Sequence, residues 1–282
     1  MGERRTIVIA GAGIGGLAAA LALADAGFRV VIAERNGELS EVGAGIQLSP
    51  NAGRVLSALG LDAAIAAVAV EPAAIDVRSA DGRLITSVPT ASFRQRYGYP
   101  YRSIHRGDLQ HLLAEAVRAN PAITLRLGAT VGEFAPHAGS WLVRVEHDGT
   151  RDVINAIAVI GADGIWSEMR SRIPDHATPR ASGRVAWRGM VPVDNAPRHL
   201  PRDRVGLWLG RDAHLVHYPV SAGAAINIVA IVEEPWDRQG WSAPGDRRVL
   251  LSRFARWSEE AQAIIRAPLA WQKWTLASLF PT

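Results

Sequence analysis

The sequence contains no cysteine and only one lysine, Lys273, among its 282 residues. Without cysteine there can be no disulfide, thiol nucleophile or thiolate metal site, which fits a reducing cytoplasm. Beyond the N-terminal region no segment reaches the ~18 consecutive apolar residues of a membrane span, which predicts a soluble chain with no membrane partner. Basic and acidic residues are spread along the chain, the net charge is +4, and no dense basic run occurs. The charge pattern therefore predicts no nucleic-acid partner.

The first 35 residues have the pattern of a nucleotide-binding βαβ unit. A strand pattern leads into a glycine run, an alanine-rich helix follows, and a second strand ends at Glu34. The glycines of the run are Gly11, Gly13, Gly15 and Gly16. Gly11 permits the tight turn, Gly13 lets a pyrophosphate approach the main chain, and Gly16 lets helix and strand pack closely. The phosphates would lie at the helix N-terminus, and the Glu34 carboxylate would accept hydrogen bonds from a ribose.

A secretory signal peptide is the competing interpretation of the same segment. Residues 1–5 are basic, an apolar run extends to residue 24, and Ala22-Leu23-Ala24 precedes Asp25. Four glycines within the apolar run, and a second strand that ends in an acid directly after it, argue against a signal peptide. The order of strand, glycines, helix, strand and acid favours nucleotide binding.

The remaining patterns predict an α/β protein of two domains. All nine tryptophans lie at or after Trp141, so the two halves are expected to build different layers. Helices are predicted at residues 51–59 and 107–119, and a hairpin is predicted at residues 73–79 and 83–88 around Asp81-Gly82. Further strands are predicted at residues 122–127, 141–146, 152–154, 156–160, 185–191, 204–209, 214–220 and 225–232. Residues 156–160 are continuously apolar, as in a buried parallel strand. The later strands indicate an antiparallel sheet.

Three motifs, together with the N-terminal unit, resemble one known family. They are Gly43-Ala44-Gly45-Ile46-Gln47-Leu48-Ser49-Pro50-Asn51-Ala52, His105-Arg106-Gly107-Asp108-Leu109 and Gly161-Ala162-Asp163-Gly164-Ile165-Trp166-Ser167-Glu168-Met169-Arg170. The chain resembles the class A flavoprotein monooxygenases over nearly its whole length, and among them the salicylate hydroxylase and 3-hydroxybenzoate 6-hydroxylase group. The combination is far more specific than any one motif.

The resemblance implies a fold and its division into domains. A Rossmann-like FAD-binding domain of the glutathione-reductase type would comprise residues 1–71 and 101–178. An antiparallel-sheet substrate domain would comprise residues 72–100 and 179–282. The last motif is similar to the Asp-Gly motif that serves both FAD and the reducing nicotinamide in the family.

The resemblance also implies which residues bind the adenosine and phosphate parts of FAD. Glu34 would hold the adenosine ribose with Arg35 alongside, and Val131 would meet adenine through its backbone. Arg106 would reach the ribityl and pyrophosphate region, and Asp163 would lie close to the pyrophosphate. The alternative for such arginines and carboxylates is an ordinary surface ion pair worth under ~1 kcal/mol.

The ring end of FAD and the catalytic step are assigned in the same way. Ala44 and Gln47 would lie near the flavin ring. Strand alternation places His214 and Tyr218 on one face and His217 on the other. In the resembling hydroxylases a His and a Tyr at this spacing act on the phenol, which implies that His214 is the base or proton relay and Tyr218 its hydrogen-bonding neighbour. The alternative for either histidine is a satisfied core side chain. No metal site is predicted.

Three functional classes stay open at this point. The first is an FAD-dependent aromatic-ring hydroxylase that uses NAD(P)H and O2 on a small phenolic or hydroxybenzoate-type substrate. The second is an NAD-dependent dehydrogenase, although a Tyr-x-x-x-Lys pair is excluded because Leu269 lies four residues before Lys273. The third is a non-catalytic remnant.

The C-terminal end departs from the family pattern. Family members continue beyond the last residues of this sequence through a strand ending in Gly-Asp, a proline-containing loop under the flavin and a further helix. Their lack predicts a truncated chain with an open sheet edge beside residues 156–160. Such an edge would lead to aggregation, to a homodimer, or to a need for the missing segment. An incomplete flavin site would also let NAD(P)H oxidation yield mainly hydrogen peroxide.

Overall fold

The computed structural model describes residues 5–39, 44–237 and 240–279. Within those ranges the helices are α1 (Ile14–Asp25), α2 (Pro50–Ala58), α3 (Asp62–Val68), α4 (Ala91–Tyr97), α5 (Arg106–Ala119), α6 (Arg247–Arg253) and α7 (Glu259–Arg266). The first strands are β1 (Thr6–Ala10), β2 (Arg29–Glu34), β3 (Gly45–Leu48), β4 (Ala74–Ser79), β5 (Leu84–Pro89), β6 (Arg102–His105), β7 (Ile123–Leu127), β8 (Ala129–His137) and β9 (Ser140–His147). The later strands are β10 (Thr150–Ala156), β11 (Ala158–Gly161), β12 (Pro179–Pro192), β13 (Arg204–Leu209), β14 (Ala213–Val220), β15 (Ala225–Glu233), β16 (Ser242–Gly245) and β17 (Trp271–Leu279).

A four-stranded parallel sheet carries the N-terminal unit. Its strand order is β11-β1-β2-β7. Helices α1 and α5 cover one face, where Leu17 and Leu113 are fully buried against Ile9 and Ile32. The small sheet β10-β9-β8 covers the other face. Both faces of the central strands are therefore apolar, which explains their continuous hydrophobic runs.

Strand β11 lies at one edge of this sheet. It pairs in parallel with β1, and within the described ranges no second strand pairs with it. The sequence predicts this strand two residues earlier, at residues 156–160. Ala156 instead ends β10, where it pairs with Trp141 and lies buried between the two sheets.

An eight-stranded sheet forms the second layer of the molecule. Its order is β16-β17-β12-β15-β14-β13-β4-β5, and all neighbours are antiparallel except β4 and β13. Helices α6 and α7 cover one face, where Phe254 and Ile264 pack with Leu215 and Trp208. Tyr218 and Val220 point to the opposite face, which packs toward Tyr101. The predicted hairpin at residues 73–88 joins this sheet because β4 runs parallel to β13.

The two-stranded sheet β3-β6 is absent from the sequence prediction. It lies between the larger sheets, and Ser103 of β6 donates its hydroxyl hydrogen to the Pro219 carbonyl of β14 at 2.6 Å. Two other bonds reach the same region, from Gly45 to Asn227 and from Val70 to Ser103. The small sheet therefore connects the N-terminal unit to the eight-stranded sheet.

Helix boundaries follow local capping chemistry. Helix α2 begins at Pro50, a residue suited to a first turn because its missing N–H would have no partner there. Helices α6 and α7, which the sequence patterns do not predict, begin after Asp246 and Ser258, whose side chains accept backbone N–H bonds. Among the described residues no helix has both the length and the apolar character needed to cross a bilayer.

Candidate functional site

The turn after β1 contains two glycines, Gly11 and Gly16, that the packing of the protein requires whether or not a ligand binds. Gly11 has φ +103°, and a Cβ atom there would lie 2.5 Å from the Ala162 carbonyl oxygen. A Cβ atom on Gly16 would overlap the Gly11 carbonyl oxygen. Any side chain at either position would therefore push the first helix away from the sheet.

Gly13 is different because packing does not require it. A Cβ atom at Gly13 would have no atom of the described protein within 4 Å. The residue lines a cavity of about 270 Å³ at the ends of β1 and β2. The space in front of Gly13 is therefore open to a ligand that approaches the main chain at the start of α1, where free N–H groups favour an anion.

The same cavity collects six of the predicted cofactor residues. They are Gly11, Gly13, Glu34, Arg35, Val131 and Asp163. Gly15 and Gly16 lie in the first turn of α1 and do not line it. The cavity thus joins the glycine turn, the acid of β2 and the loop after β11, three segments that are far apart in sequence.

Glu34 is held in a fixed position at the end of β2. Its Oε2 atom accepts the backbone N–H of Ala12 at 2.8 Å, and Oε1 accepts that of Asn36 at 3.0 Å. The residue is 9% exposed and lines the cavity. Each oxygen keeps a second lone pair, so the carboxylate can still accept hydrogen bonds from a ribose.

Asp163 has one oxygen that lacks a donor. Its Oδ2 atom accepts the Met169 backbone N–H at 3.0 Å. Its Oδ1 atom is buried and has no hydrogen-bond partner among the described residues. A buried acceptor without a donor is costly, by about 1–3 kcal/mol. A ligand with hydroxyl groups, such as the ribityl chain of a flavin nucleotide, would supply the missing donor. This unpartnered acceptor therefore fits FAD.

Gln110 also lines this cavity, although it is not among the predicted cofactor residues. It lies on α5, is buried, and donates from Nε2 to the Ala12 carbonyl at 3.2 Å. Glu34 and Gln110 therefore hold the two polar groups of the Ala12 backbone from opposite sides of the turn. No sequence pattern marks Gln110, because only the packing of α5 beside the glycine turn gives it this contact.

Ala44, Gln47 and Arg106 form a separate group around the β3-β6 sheet. The Ala44 carbonyl accepts the Arg106 backbone N–H at 2.9 Å, and Gln47 accepts the Tyr101 hydroxyl. None of the three lines the 270 Å³ cavity. Gly43, the first residue of the predicted motif, lies outside the described residues. The predicted cofactor residues thus fall into a nucleotide group and a group beside the eight-stranded sheet.

Burial changes the proton affinity of the two tyrosines beside this second group. It raises the pKa of Tyr101 to about 12. Burial also raises the pKa of Tyr218, while the Arg188 charge acts in the opposite direction and Tyr101 adds to the increase. Both phenols therefore stay protonated at neutral pH and can donate hydrogen bonds.

Strand β14 carries the two predicted catalytic residues. Its ladder pairs His214 with Leu209 and Ile231, and pairs Tyr218 with Asn227. By strand alternation both side chains lie on the face that packs toward Tyr101, but four residues of strand span about 13 Å. Among the described residues no hydrogen bond joins the two side chains. A reaction step that uses both residues therefore requires a substrate molecule between them.

His214 and His217 lie in different environments. His214 is half-buried in a small cavity that Arg184 also lines, and burial followed by the Arg184 charge lowers its pKa. His217 packs against Gly206 on the opposite face, near α7. Burial and then Arg78 lower the pKa of His217 to about 4, against a smaller opposing effect of Asp76. Both imidazoles are neutral at pH 7, but only His214 shares a face with Tyr218.

A profile of the FAD binding domain family matches residues 4–278. The chain belongs to this family, among the class A flavoprotein monooxygenases. It is 34% identical over 280 residues to 3-hydroxybenzoate 6-hydroxylase 1 of Aquipseudomonas alcaligenes, an alignment that covers 98% of this chain and 70% of that protein. It is 37% identical over 273 residues to 3-amino-4-hydroxybenzoate 2-monooxygenase of Streptomyces cremeus, covering 96% of this chain and 66% of that protein.

Solved structures of flavoprotein monooxygenases have the same fold. The substrate complex of a salicylate hydroxylase superposes with a TM-score of 0.78 and 25% identity, covering 100% of this chain and 70% of the other. The predicted α/β fold with an antiparallel sheet, FAD as cofactor with NAD(P)H as co-substrate, and the class of FAD-dependent aromatic hydroxylases are confirmed. The comparisons support neither the dehydrogenase nor the non-catalytic remnant.

Proposed function

We propose that this chain uses FAD, NAD(P)H and O2 to hydroxylate the ring of a hydroxybenzoate-type acid. The observation that carries the proposal is the contact between the predicted flavin-ring residues and the sheet of the predicted catalytic residues. Gly45, next to Ala44 in the predicted flavin loop, donates its N–H to Asn227 on the sheet that carries His214 and Tyr218. A ring cofactor beside residues 44–47 would therefore face the same layer as the two predicted catalytic side chains.

The proposal assigns the cofactor residues by their contacts. Glu34 accepts the ribose hydroxyls, with Arg35 alongside, and Val131 offers its backbone to adenine. Asp163 accepts a hydroxyl on its unpartnered oxygen, and Arg106 approaches the ribityl and pyrophosphate region. The remaining members of the set are Gly11, Gly13, Gly15, Gly16, Ala44 and Gln47. Supporting this assignment are the open space at Gly13 and the buried Oδ1 atom of Asp163.

When bound, FAD would supply the redox chemistry, which couples the oxidation of NAD(P)H to the activation of O2 for transfer to the ring. His214 takes the phenolic proton on a ring nitrogen, which makes the ring more electron-rich at the position to be hydroxylated. Tyr218, which stays protonated, donates a hydrogen bond to the substrate. Because about 13 Å of strand separates the two residues, the substrate ring lies between them rather than beside a direct His–Tyr bond.

The substrate class follows from charge as well as from the relatives. Arg188 brings a positive charge to the Tyr218 face, because it pairs with Val229, which in turn pairs with Val216 two residues before Tyr218. Its guanidinium carbon also lies 5.0 Å from the Trp274 ring centroid. A guanidinium group beside a tryptophan ring can pair with the carboxylate of an aromatic acid, while the tryptophan packs against its ring. The names of the relatives, 3-hydroxybenzoate 6-hydroxylase and 3-amino-4-hydroxybenzoate 2-monooxygenase, point to the same class.

Three further assignments belong to the proposal. The FAD-binding domain comprises residues 1–71 and 101–178, and the substrate domain comprises residues 72–100 and 179–282. In the part of the chain that the structure describes, β11 pairs only with β1, and its other edge supports a homodimer through strand pairing. The requirement for NAD(P)H supports a cytoplasmic location, where that reductant is regenerated.

The deciding experiment combines a spectrum with product analysis. Purified chain is incubated with FAD, freed of unbound cofactor by gel filtration, and scanned for the visible flavin bands. NADH and NADPH oxidation is then followed with and without 3-hydroxybenzoate, while the hydroxylated ring and hydrogen peroxide are both quantified. Flavin bands and substrate-stimulated oxidation with a hydroxylated product support the proposal. Absence of flavin after FAD addition, or oxidation that no hydroxybenzoate stimulates, would overturn it.

A further inference from the structure

Asn227 is a fully buried polar residue on the face of the eight-stranded sheet that carries Tyr218. Its Oδ1 atom accepts the Gly45 backbone N–H at 2.8 Å. The orientation of the side-chain amide is settled by this bond, because a backbone N–H can meet only the oxygen. The bond spans 182 residues of sequence and connects the flavin loop, which comprises residue 44 and strand β3, to β15.

Gly45 lies flush against the same surface. A Cβ atom there would lie 2.5 Å from Cε2 of Tyr218, 2.9 Å from Val220 and 3.0 Å from the Asn227 Cβ atom. Tyr218 and Asn227 are direct partners in the β14-β15 ladder. The loop backbone, the phenol of Tyr218 and the Asn227 amide therefore form one close-packed contact.

The other half of the Asn227 amide carries a cost. Its Nδ2 atom is buried and has no hydrogen-bond partner among the described residues. An apolar side chain of similar shape would avoid this penalty but would leave the Gly45 N–H without an acceptor. The packing at this position is therefore arranged around the bond to Gly45.

We propose that Asn227 is a positioning residue for hydroxylation, which sets the position of the flavin loop relative to Tyr218. This inference rests on the proposed function. Because Gln47 follows Gly45 by two residues in β3, a shift of Gly45 also moves the predicted flavin contacts. Loss of the anchor lets the loop move from the sheet, which separates the cofactor from the substrate bound at Tyr218. Without this alignment, the oxidation of NAD(P)H would yield hydrogen peroxide instead of hydroxylated product.

Three variants separate this role from general stabilisation. Asn227→Ala removes the acceptor, whereas Asn227→Asp keeps an oxygen that can accept the Gly45 N–H. The aspartate replaces the unpartnered donor by a second carboxyl oxygen, and its buried ionisable group is expected to lower stability without removing the bond. Ser103→Ala is the matched control, because it deletes another buried bond between the small sheet and β14, at 2.6 Å, without touching Gly45. All three are prepared as the full chain.

The first measurement is hydrogen exchange of residues 44–48 in the FAD-free protein, which needs no activity. We expect Asn227→Ala to speed exchange of the Gly45 amide by about tenfold or more, while Asn227→Asp and Ser103→Ala stay near the parent. Unchanged exchange of the Gly45 amide in Asn227→Ala would show that Asn227 does not anchor residues 44–48. This measurement stands even if the protein proves not to be a hydroxylase, so the two proposals can fail separately.

The second measurement is the ratio of hydroxylated product to NAD(P)H consumed, with 3-hydroxybenzoate as the probe substrate. We expect Asn227→Ala to lower this ratio at least about threefold, with a change in the visible circular dichroism of bound FAD, and Asn227→Asp to restore most of both. Ser103→Ala should lower the melting temperature and leave the ratio unchanged. An equal loss of coupling in Ser103→Ala, or a parent-like ratio in Asn227→Ala, would overturn the positioning role.

Discussion

Oε2 of Glu34 accepts the Ala12 backbone N–H at 2.8 Å, so the acid that ends β2 holds the glycine turn that follows β1. Glu34→Ala removes this bond and the one from Asn36, and it also removes the proposed ribose acceptor. Because hydrogen bonds to charged groups contribute about 1.5–3 kcal/mol, we expect a lower melting temperature and a clear rise in the Kd for FAD. Glu115→Ala, which removes only an exposed helix ion pair with Arg118, should change neither quantity.

Gly13 and Gly16 should respond differently to the same substitution. Gly13→Val places its side chain in open space at the cavity, so the FAD-free protein should keep its melting temperature while FAD affinity falls by about two orders of magnitude. Gly16→Val forces the side chain into the Gly11 carbonyl and should prevent stable folding. Circular dichroism melts and flavin fluorescence titrations measure both effects. Parent-like FAD retention in Gly13→Val would show that the pyrophosphate lies elsewhere.

The two histidines of β14 provide a paired test of the catalytic face. His214→Ala should lower the hydroxylation rate by about 100-fold or more if the side chain is the general base. His217→Ala leaves a cavity near α7 and should lower stability with a much smaller effect on the rate. Product formation under saturating substrate distinguishes the two variants. The reverse ranking would mean that the opposite face of the strand binds the substrate.

Burial of His217 predicts a defined pH window for stability. Its folded pKa is about 4, below the ordinary value of 6.5, so the unfolded chain binds more protons between these limits. The stabilisation is complete above about pH 6.5 and is lost as the pH falls toward 4. His217→Phe cannot titrate and should flatten this part of the curve of unfolding free energy against pH. Denaturant melts at several pH values measure this curve for both proteins. The same pH dependence in His217→Phe as in the parent would show that His217 is not the titrating group.

Lys273 is a buried charge whose removal should be costly. Its Nζ atom pairs with Oε1 of Glu234 at 2.5 Å and lies 5.1 and 5.7 Å from the ring centroids of Trp187 and Trp236. Lys273→Met keeps the length of the side chain but leaves Glu234 without its counter-charge, so we expect a loss of about 3–5 kcal/mol in unfolding free energy. The double variant Lys273→Met with Glu234→Gln should recover part of the loss. Urea denaturation measures both.

Much of the fold could be predicted because single strands and the glycine motif are encoded locally. The strand at residues 204–209 was predicted with the observed bounds, and alternation placed His214 and His217 on opposite faces of β14. The β3-β6 pair was missed because four-residue strands have too few positions for a periodic signal. Helix α4 was missed for a similar reason, since its seven residues include none that is buried.

Residues that act through distant contacts left no signal in the sequence. Asn227 looks like an isolated polar residue in an apolar strand, and only the fold brings it to Gly45. Gln110 is likewise an ordinary helix residue until α5 packs beside the glycine turn. The nucleotide-binding residues could be predicted because backbone geometry restricts which amino acids fit at their positions. A side chain that anchors a loop is restricted only by its partner in the fold.

The parallel pairing of β4 with β13 has a consequence for synthesis of the chain. Ala74 pairs with Arg204, so the hairpin leaves the ribosome about 130 residues before the strand that receives it. At roughly 5–20 residues per second the hairpin waits several seconds or more with both strand edges unpaired: the β4 edge, which β13 later covers, and the β5 edge, which stays at the margin of the described sheet. Leu84, Ile85 and Val88 of this hairpin stay exposed even in the folded protein. The nascent chain therefore presents an apolar β-edge during translation, and its yield of native protein should depend on chaperones and on growth temperature.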